Sequence, residues 1–192
     1  MRHTYAPLAA VSLTLGACTT AKVTSDFDET QNFSGYKTYA WAGESPMAVY
    51  GSRPVPPTLE PKVTRAIEAE LSAKGFRKID TLKDADFAVS FTIGTRDGTR
   101  VTQTPDYFWV ERRRWGWGYT YYPPGRWRAS GTYTEIREYT EGSLSIDIYD
   151  VERRSPVWHG TGTKNLSSAE LNGETTHVVE GVSRVLEGFP PG

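Results

Sequence analysis

Three groups of side chains in this 192-residue sequence carry chemical possibilities: the histidines His159 and His177, the lone cysteine Cys18, and a crowd of aromatic and arginine side chains between residues 106 and 133. A histidine beside a carboxylate is the smallest acid–base couple, and Asp147 faces His159 if residues 141–164 form a hairpin. On an open sheet the same two residues are a solvated cross-strand pair worth a fraction of a kcal/mol, and that is the reading preferred here. His177 falls at the polar start of a predicted helix and reads as a surface residue. No G-x-S-x-G, H-E-x-x-H or phosphate-binding glycine loop occurs. Asp26, Asp28, Asp147 and Asp150 lack the spacing of a calcium loop. A non-catalytic protein without metal or other cofactor is expected, an enzyme of unknown type remaining the third choice.

The 106–133 segment holds ten of the chain's 24 aromatic residues and four of its six tryptophans. Trp109, Trp115, Trp117, Tyr119 and Trp127 alternate there with Arg112, Arg113, Arg114, Arg126 and Arg128, around a Pro123-Pro124-Gly125 turn. Flat rings interleaved with guanidinium groups anchor protein interfaces, stack on sugar faces and grip phosphates. The first reading is a surface that docks an envelope protein. The alternative is a site for a glycan or lipid headgroup, such as peptidoglycan or lipopolysaccharide. A third possibility is a lid packed over the sheet with no ligand. Nucleic acid is not an expected partner for an exported protein, and the formal net charge of -1 gives no general attraction to polyanions.

Cys18 closes a run with a positive start, a short apolar stretch and small residues, Leu15-Gly16-Ala17-Cys18. The apolar stretch is too short to span a bilayer, which takes roughly 20 residues, so residues 1–17 read as a signal peptide. Its end is similar to the bacterial lipobox, in which the cysteine is acylated and becomes the first residue of the mature protein. Residues 18–21 are then a short tether, about 10 Å at full extension, that holds residues 22–192 against the lipid surface. Thr19 after the cysteine suggests the outer membrane of a Gram-negative envelope, facing the periplasm. With Cys18 consumed by lipid no thiol remains for a disulfide, and apolar burial alone holds the fold.

The element that positions the rest is the hairpin 141–164. Leu144, Ile146 and Ile148 alternate with polar residues, and on the return strand Trp158, Gly160 and Gly162 alternate with Val157, His159 and Thr161. Trp158 is placed opposite Ile148, Gly160 opposite Ile146 and Gly162 opposite Leu144. The glycines then leave room for side chains of a covering layer. Further strands are predicted at 22–28, within 32–41, at 86–95 and near 133–139, with a loop over 43–57. A helix from Thr58 carries the stripe Leu59, Val63, Ile67 and Leu71, with Gly75 and Phe76 as a Schellman ending. A last helix over 172–187 turns Val178, Val182 and Val185 inward with Val179 and Leu186 on its flanks, and Phe189-Pro190-Pro191 tucks in the end. The sum is a single α+β domain: a two-layer arrangement of an antiparallel or mixed β-sheet covered by two helices, with 106–133 as an aromatic-rich hairpin or loop insertion.

Several pieces together resemble a family of uncharacterised bacterial lipoproteins, domain of unknown function 4136. They are Asp26-Phe27-Asp28, residues 33–41 (F-S-G-Y-K-T-Y-A-W), Lys74-Gly75-Phe76, Ala85-Asp86-Phe87, residues 141–147 (E-G-S-L-S-I-D), Trp158-His159-Gly160 and Phe189-Pro190-Pro191. His159 departs from the arginine the family pattern would place there. The resemblance implies an envelope lipoprotein and supplies no activity.

Overall fold

The computed structural model describes residues 21–51, 53–110 and 126–191, and the side chains of these apart from 105–110 and 126–130. Cys18, the 1–17 segment and most of the 18–21 tether lie outside the described residues.

Seven strands form one mixed sheet. They are β1 (Lys22–Phe27), β2 (Thr38–Trp41), β3 (Met47–Tyr50), β4 (Arg77–Lys78), β5 (Phe87–Val110), β6 (Arg126–Asp150) and β7 (Ser155–Asn165). Their order across the sheet is β1-β7-β6-β5-β2-β4, with β3 also on the β5 edge. The helices are α1 (Leu59–Ala73), α2 (Ser168–Leu171) and α3 (Val178–Leu186).

The β6–β7 hairpin has the expected register. Ile148 pairs with Trp158, Ile146 with Gly160, Leu144 with Gly162 and Asp147 with His159, with a bulge after Ile148. The glycines serve the purpose inferred for them: a Cβ on either would stand 2.9 Å from a methyl of Val185, the α3 side chain that rests on this strip. Helix α1 buries Val63, Ala66, Ile67 and Leu71. It ends as a Schellman motif, Gly75 at φ +92°, Phe76 N–H donating to Leu71 O and Gly75 N–H to Ser72 O, each at 3.0 Å. Pro61 falls in its first turn, where no helical N–H is lost.

Four expectations are corrected. The 43–57 loop contains β3, whose four residues run parallel to Phe91–Gly94 of β5; prolines on both sides hid a strand too short to show a period. The strands expected at 86–95 and 133–139 are parts of β5 and β6, which pair without a break from Phe87↔Asp150 to Asp106↔Gly131 and, past a register shift, on to Val110↔Arg126. At Gly98 the Tyr139 ring lies over the strand, 2.6 Å from where a Cβ would be. The last helix begins at Val178, not 172, since Gly173 at φ +98° ends α2 and a turn follows. Helix α2 itself starts on a capping box between Ser167 and Glu170, so the helices number three. Leu186, expected on a flank, is fully buried, while Val179 is 61% exposed.

The helices cover one face of the sheet. Phe87, Val89, Phe91, Ile146, Ile148 and Trp158 from the sheet meet Ile67, Leu71, Val182 and Val185 from the helices in one core. Phe189 sits among them with no exposure, as the expected tucking of the C-terminal segment requires. Its ring lies 6.0 Å from Phe33, 5.5 Å from Phe76, 5.6 Å from Phe87 and 5.4 Å from Trp158.

Candidate functional site

Beyond Gly94 the last residue of β5 to pair with anything other than β6 has been passed, and beyond Glu141 β6 has lost β7. What continues is a two-stranded ribbon, residues 96–110 against 126–140, about 50 Å long at roughly 3.3 Å per residue. Among the described residues both of its edges are unpaired beyond its base, where Thr140 O accepts from Leu166 N–H at 2.8 Å. Val101 and Ile136 face each other across it at 57% and 65% exposure, and Tyr133 is 64% exposed. Arg100 lies 5.7 Å from the Tyr139 ring centroid, Arg137 pairs with Glu135 at 2.7 Å and Arg96 with Glu141 at 2.9 Å. These contacts stay within the ribbon and stiffen it.

Of the sequence-predicted site residues, Trp109, Trp127 and Arg128 fall toward the far end of this arm. Backbone pairing brings Trp109 opposite Trp127 and places Arg126 opposite Val110 and Arg128 opposite Phe108. Arg112, Arg113, Arg114, Trp115, Trp117 and Tyr119 lie outside the described residues. Residues 106–110 and 126–133 therefore extend the two central strands of the sheet.

On the face away from the helices, His159 Nδ1–H donates to Asp147 Oδ1 at 2.6 Å, and His159 Nε2 lies 2.7 Å from the Thr161 hydroxyl. That hydroxyl is 2.9 Å from Ser145 Oγ. With the imidazole neutral the chain runs Ser145 to Thr161 to His159 to Asp147, each hydroxyl donating onward. The order carboxylate, imidazole, hydroxyl is that of a nucleophile relay. Here the imidazole stands half-exposed on the open polar surface of a sheet, so the chain acts as a satisfied cross-strand network. The Asp147–His159 pair was legible in the sequence; its extension to Thr161 and Ser145 depends on the register of three neighbouring positions. The four aspartates considered for calcium are dispersed. Asp28 takes Thr30 and Arg153, Asp150 takes the Tyr36 hydroxyl at 2.7 Å, and Asp147 takes His159. Among the described residues no three His, Cys, Asp or Glu side chains gather as for a metal.

Two tyrosines report the polarity of the filled core. Burial, then the hydrogen bond to Asp150, drives the Tyr36 hydroxyl far above its usual range. Burial, with Glu68 nearby, pushes Tyr39 up to about 12.

A feature the sequence reading missed lies on the helix side, at the end from which the arm leaves. There the layers part to leave a cavity of about 380 Å³, bounded by Ile93 and Leu144 on the sheet, Leu59 and Val63 on α1, and Val178 and Val185 on α3. Gly142, Gly162 and Gly181 also border it, as does His177 at its mouth. His177 is exposed, as expected, at the N-cap of α3. The available signal was a set of glycines on facing elements, legible only once the register and the helix phase are known.

No helix among the described residues is long and apolar enough to cross a membrane. Comparison with known proteins gives one family. The family model described as Domain of unknown function (DUF4136) matches residues 23–191. No curated protein matches the sequence. Among solved structures, a DUF4136 family protein from Bacteroides thetaiotaomicron is similar with a TM-score of 0.53 and 15% identity, over 88% of this chain and 96% of that one. A PelC dodecamer from Paraburkholderia phytofirmans gives a TM-score of 0.45 and 15% identity over 87% and 95% of the two chains. The Bacteroides protein shares the fold.

Proposed function

Since the chain belongs to the DUF4136 family, a domain whose function its description leaves open, we propose its role from its own architecture: a non-catalytic lipoprotein of the cell envelope, anchored through Cys18 at the outer membrane and facing the periplasm, that docks an envelope protein through its arm. The observation that carries this reading is the two-stranded ribbon whose edges are unpaired among the described residues, with Val101, Tyr133 and Ile136 exposed. An isolated two-stranded ribbon is marginally stable in water, and open edges are ordinarily blunted or covered. A partner that adds a strand to either edge, or that receives the aromatic and arginine side chains of the arm, supplies the missing contacts.

The test is photo-crosslinking in living cells from a probe residue placed at Val101 or at Tyr133, whose exposed side chains can be exchanged while the backbone pairing stays. One envelope protein captured from both positions, and lost when Trp115, Trp117 and Trp127 are changed to alanine at equal abundance, supports docking. Adducts indistinguishable from those of a probe at Glu152, in the β6–β7 turn, would remove the arm from the reading.

A further inference from the structure

We propose that the hollow end of the sandwich is a binding site for one acyl chain of a membrane lipid. This rests in part on the reading of Cys18 as the anchor, because that anchor is what brings the cavity to a lipid surface.

The lining decides the ligand class. Among the described residues no phenyl, phenol or indole ring borders the cavity. A sugar or a nucleobase has no platform on which to stack. The cations at the rim are already matched: Arg53 pairs with Asp97 at 3.0 Å and Lys164 with Glu170 at 2.7 Å. Among the described residues no uncompensated positive cluster is left there to grip a phosphate. What remains is mostly valine, leucine, isoleucine and proline, with serine and threonine hydroxyls, Glu174 and His177 among them, which suits a flexible hydrocarbon that ends in a polar group. At about 30 Å³ for a water-sized group, 380 Å³ takes on the order of a dozen methylene-sized groups, one acyl chain and not two.

Small residues keep the space open. Gly181 lies in the middle of α3, where glycine is a poor helix former, and a Cβ built on it meets no atom within 4 Å. Alanine would fit the helix better, so the glycine leaves volume that the fold itself does not require. The mouth also lies where lipid would be. Ala21 and Val23 border the cavity, and Cys18 precedes Ala21 by three residues, about 10 Å of extended chain.

The experiment uses the mature chain from residue 19, exported behind a cleavable signal so that it carries no lipid, and titrates it with palmitate below the micelle concentration. One saturable site is expected, weakened at least tenfold in Gly181→Leu, whose side chain enters the cavity, while the unfolding midpoint of that variant does not fall. No saturable binding, or equal binding by Gly181→Leu, overturns the proposal. The source is read separately, with native protein in phosphatidylethanolamine and phosphatidylglycerol vesicles carrying a phospholipid photoprobe on its acyl chain. Labelling of the peptides around Leu144 and Val178 supports a membrane lipid. Palmitate binding by the lipid-free chain without such labelling gives the cavity to the protein's own acyl group and overturns the stated source. If mass spectrometry finds Cys18 unmodified, the anchor reading fails, while the palmitate titration still reads the cavity on its own.

Discussion

At the end of the helix-covered face where Phe189 docks, seven rings meet: Phe33, Tyr36, Tyr39, Phe76, Phe87, Trp158 and Phe189, in a chain of contacts with centroids 5.2 to 6.0 Å apart. At the other end, where β5 and β6 leave as the arm, the same two layers enclose aliphatic side chains, glycines and about 380 Å³ of space. The sheet, α1 and α3 border both ends, and residues 53–56 and Leu171 of α2 also border the hollow one, so the two differ in side-chain volume and in what closes them. Large rigid rings fill the first end and fix how α1 and α3 sit on the sheet. The second end, freed from that task, can hold volume for something else. If the hollow end binds an acyl chain as proposed, stability and binding are separated along one face of one sheet.

The largest expected effect tests that separation directly. Phe87 has no exposure and its ring neighbours Tyr36, Tyr39, Phe76 and Phe189. Phe87→Ala should cost about 3–5 kcal/mol, the transfer term plus a cavity that rigid neighbours cannot collapse. Leu144→Ala, beside space that is already open, should cost about 1–2 kcal/mol in the same urea denaturation series. Equal losses at the two sites would erase the distinction between the ends.

Gly160 is the next test, because it stands one residue pair from the filled end. A Cβ there would lie 2.3 Å from Cη2 of Trp158 and 2.9 Å from Val185 Cγ1. Neither neighbour is the loose end of a surface side chain, and both are buried. Gly160→Ala should therefore lose about 2–3 kcal/mol by overpacking. Near-UV circular dichroism of Trp158 should change with it.

Much of this was readable from the chain. The alternation of Leu144, Ile146 and Ile148 against Trp158, Gly160 and Gly162 determines the register of the central hairpin, since a slip of one residue would turn every apolar side chain to water. The i, i+4 stripe from Val63 to Leu71 and the Gly75 stop determine α1. The reach of β5 and β6 was not readable, because residues 96–104 and 131–139 are exposed or part-exposed and so carry no burial pattern. A ribbon held by pairing alone leaves no apolar period behind it. The cavity was hidden for a different reason. It lies between facing elements, and Ile93, Leu144, Val178 and Gly181 come together around it only in three dimensions.

A smaller effect belongs to the rim of the filled end. Asp86 accepts from the backbone N–H of Lys37 at 2.8 Å and of Thr38 at 2.7 Å, and from the Thr38 hydroxyl at 2.9 Å. Burial raises its pKa, but these donors outweigh that and hold it below the ordinary 3.8. A carboxyl depressed by folding stabilises fully above its unfolded pKa, and the contribution disappears as pH falls through the lower, folded value. Asp86→Ala should cost about 1–2 kcal/mol at pH 7. The gap between wild type and variant should narrow on acidification below pH 3.8. A gap that stays constant to pH 2 would mean that the carboxylate's charge is not what ties β2 to β5.

The smallest expected effect has the opposite sign, and that sign carries the argument. Gly181 is a helical glycine whose missing Cβ would meet nothing within 4 Å. Replacing it with alanine removes the backbone entropy that glycine brings to the unfolded chain and introduces no clash, so Gly181→Ala should raise stability by about 0.5–1 kcal/mol. The two glycine substitutions then move in opposite directions within one core, down at Gly160 and up at Gly181. A helix position that natural sequence leaves less stable than a single methyl group would make it is expected where the space has a use. Should Gly181→Ala lower the melting temperature, the hollow end is already closed by its own side chains in solution. The two ends would then differ in the size of their side chains and not in their packing.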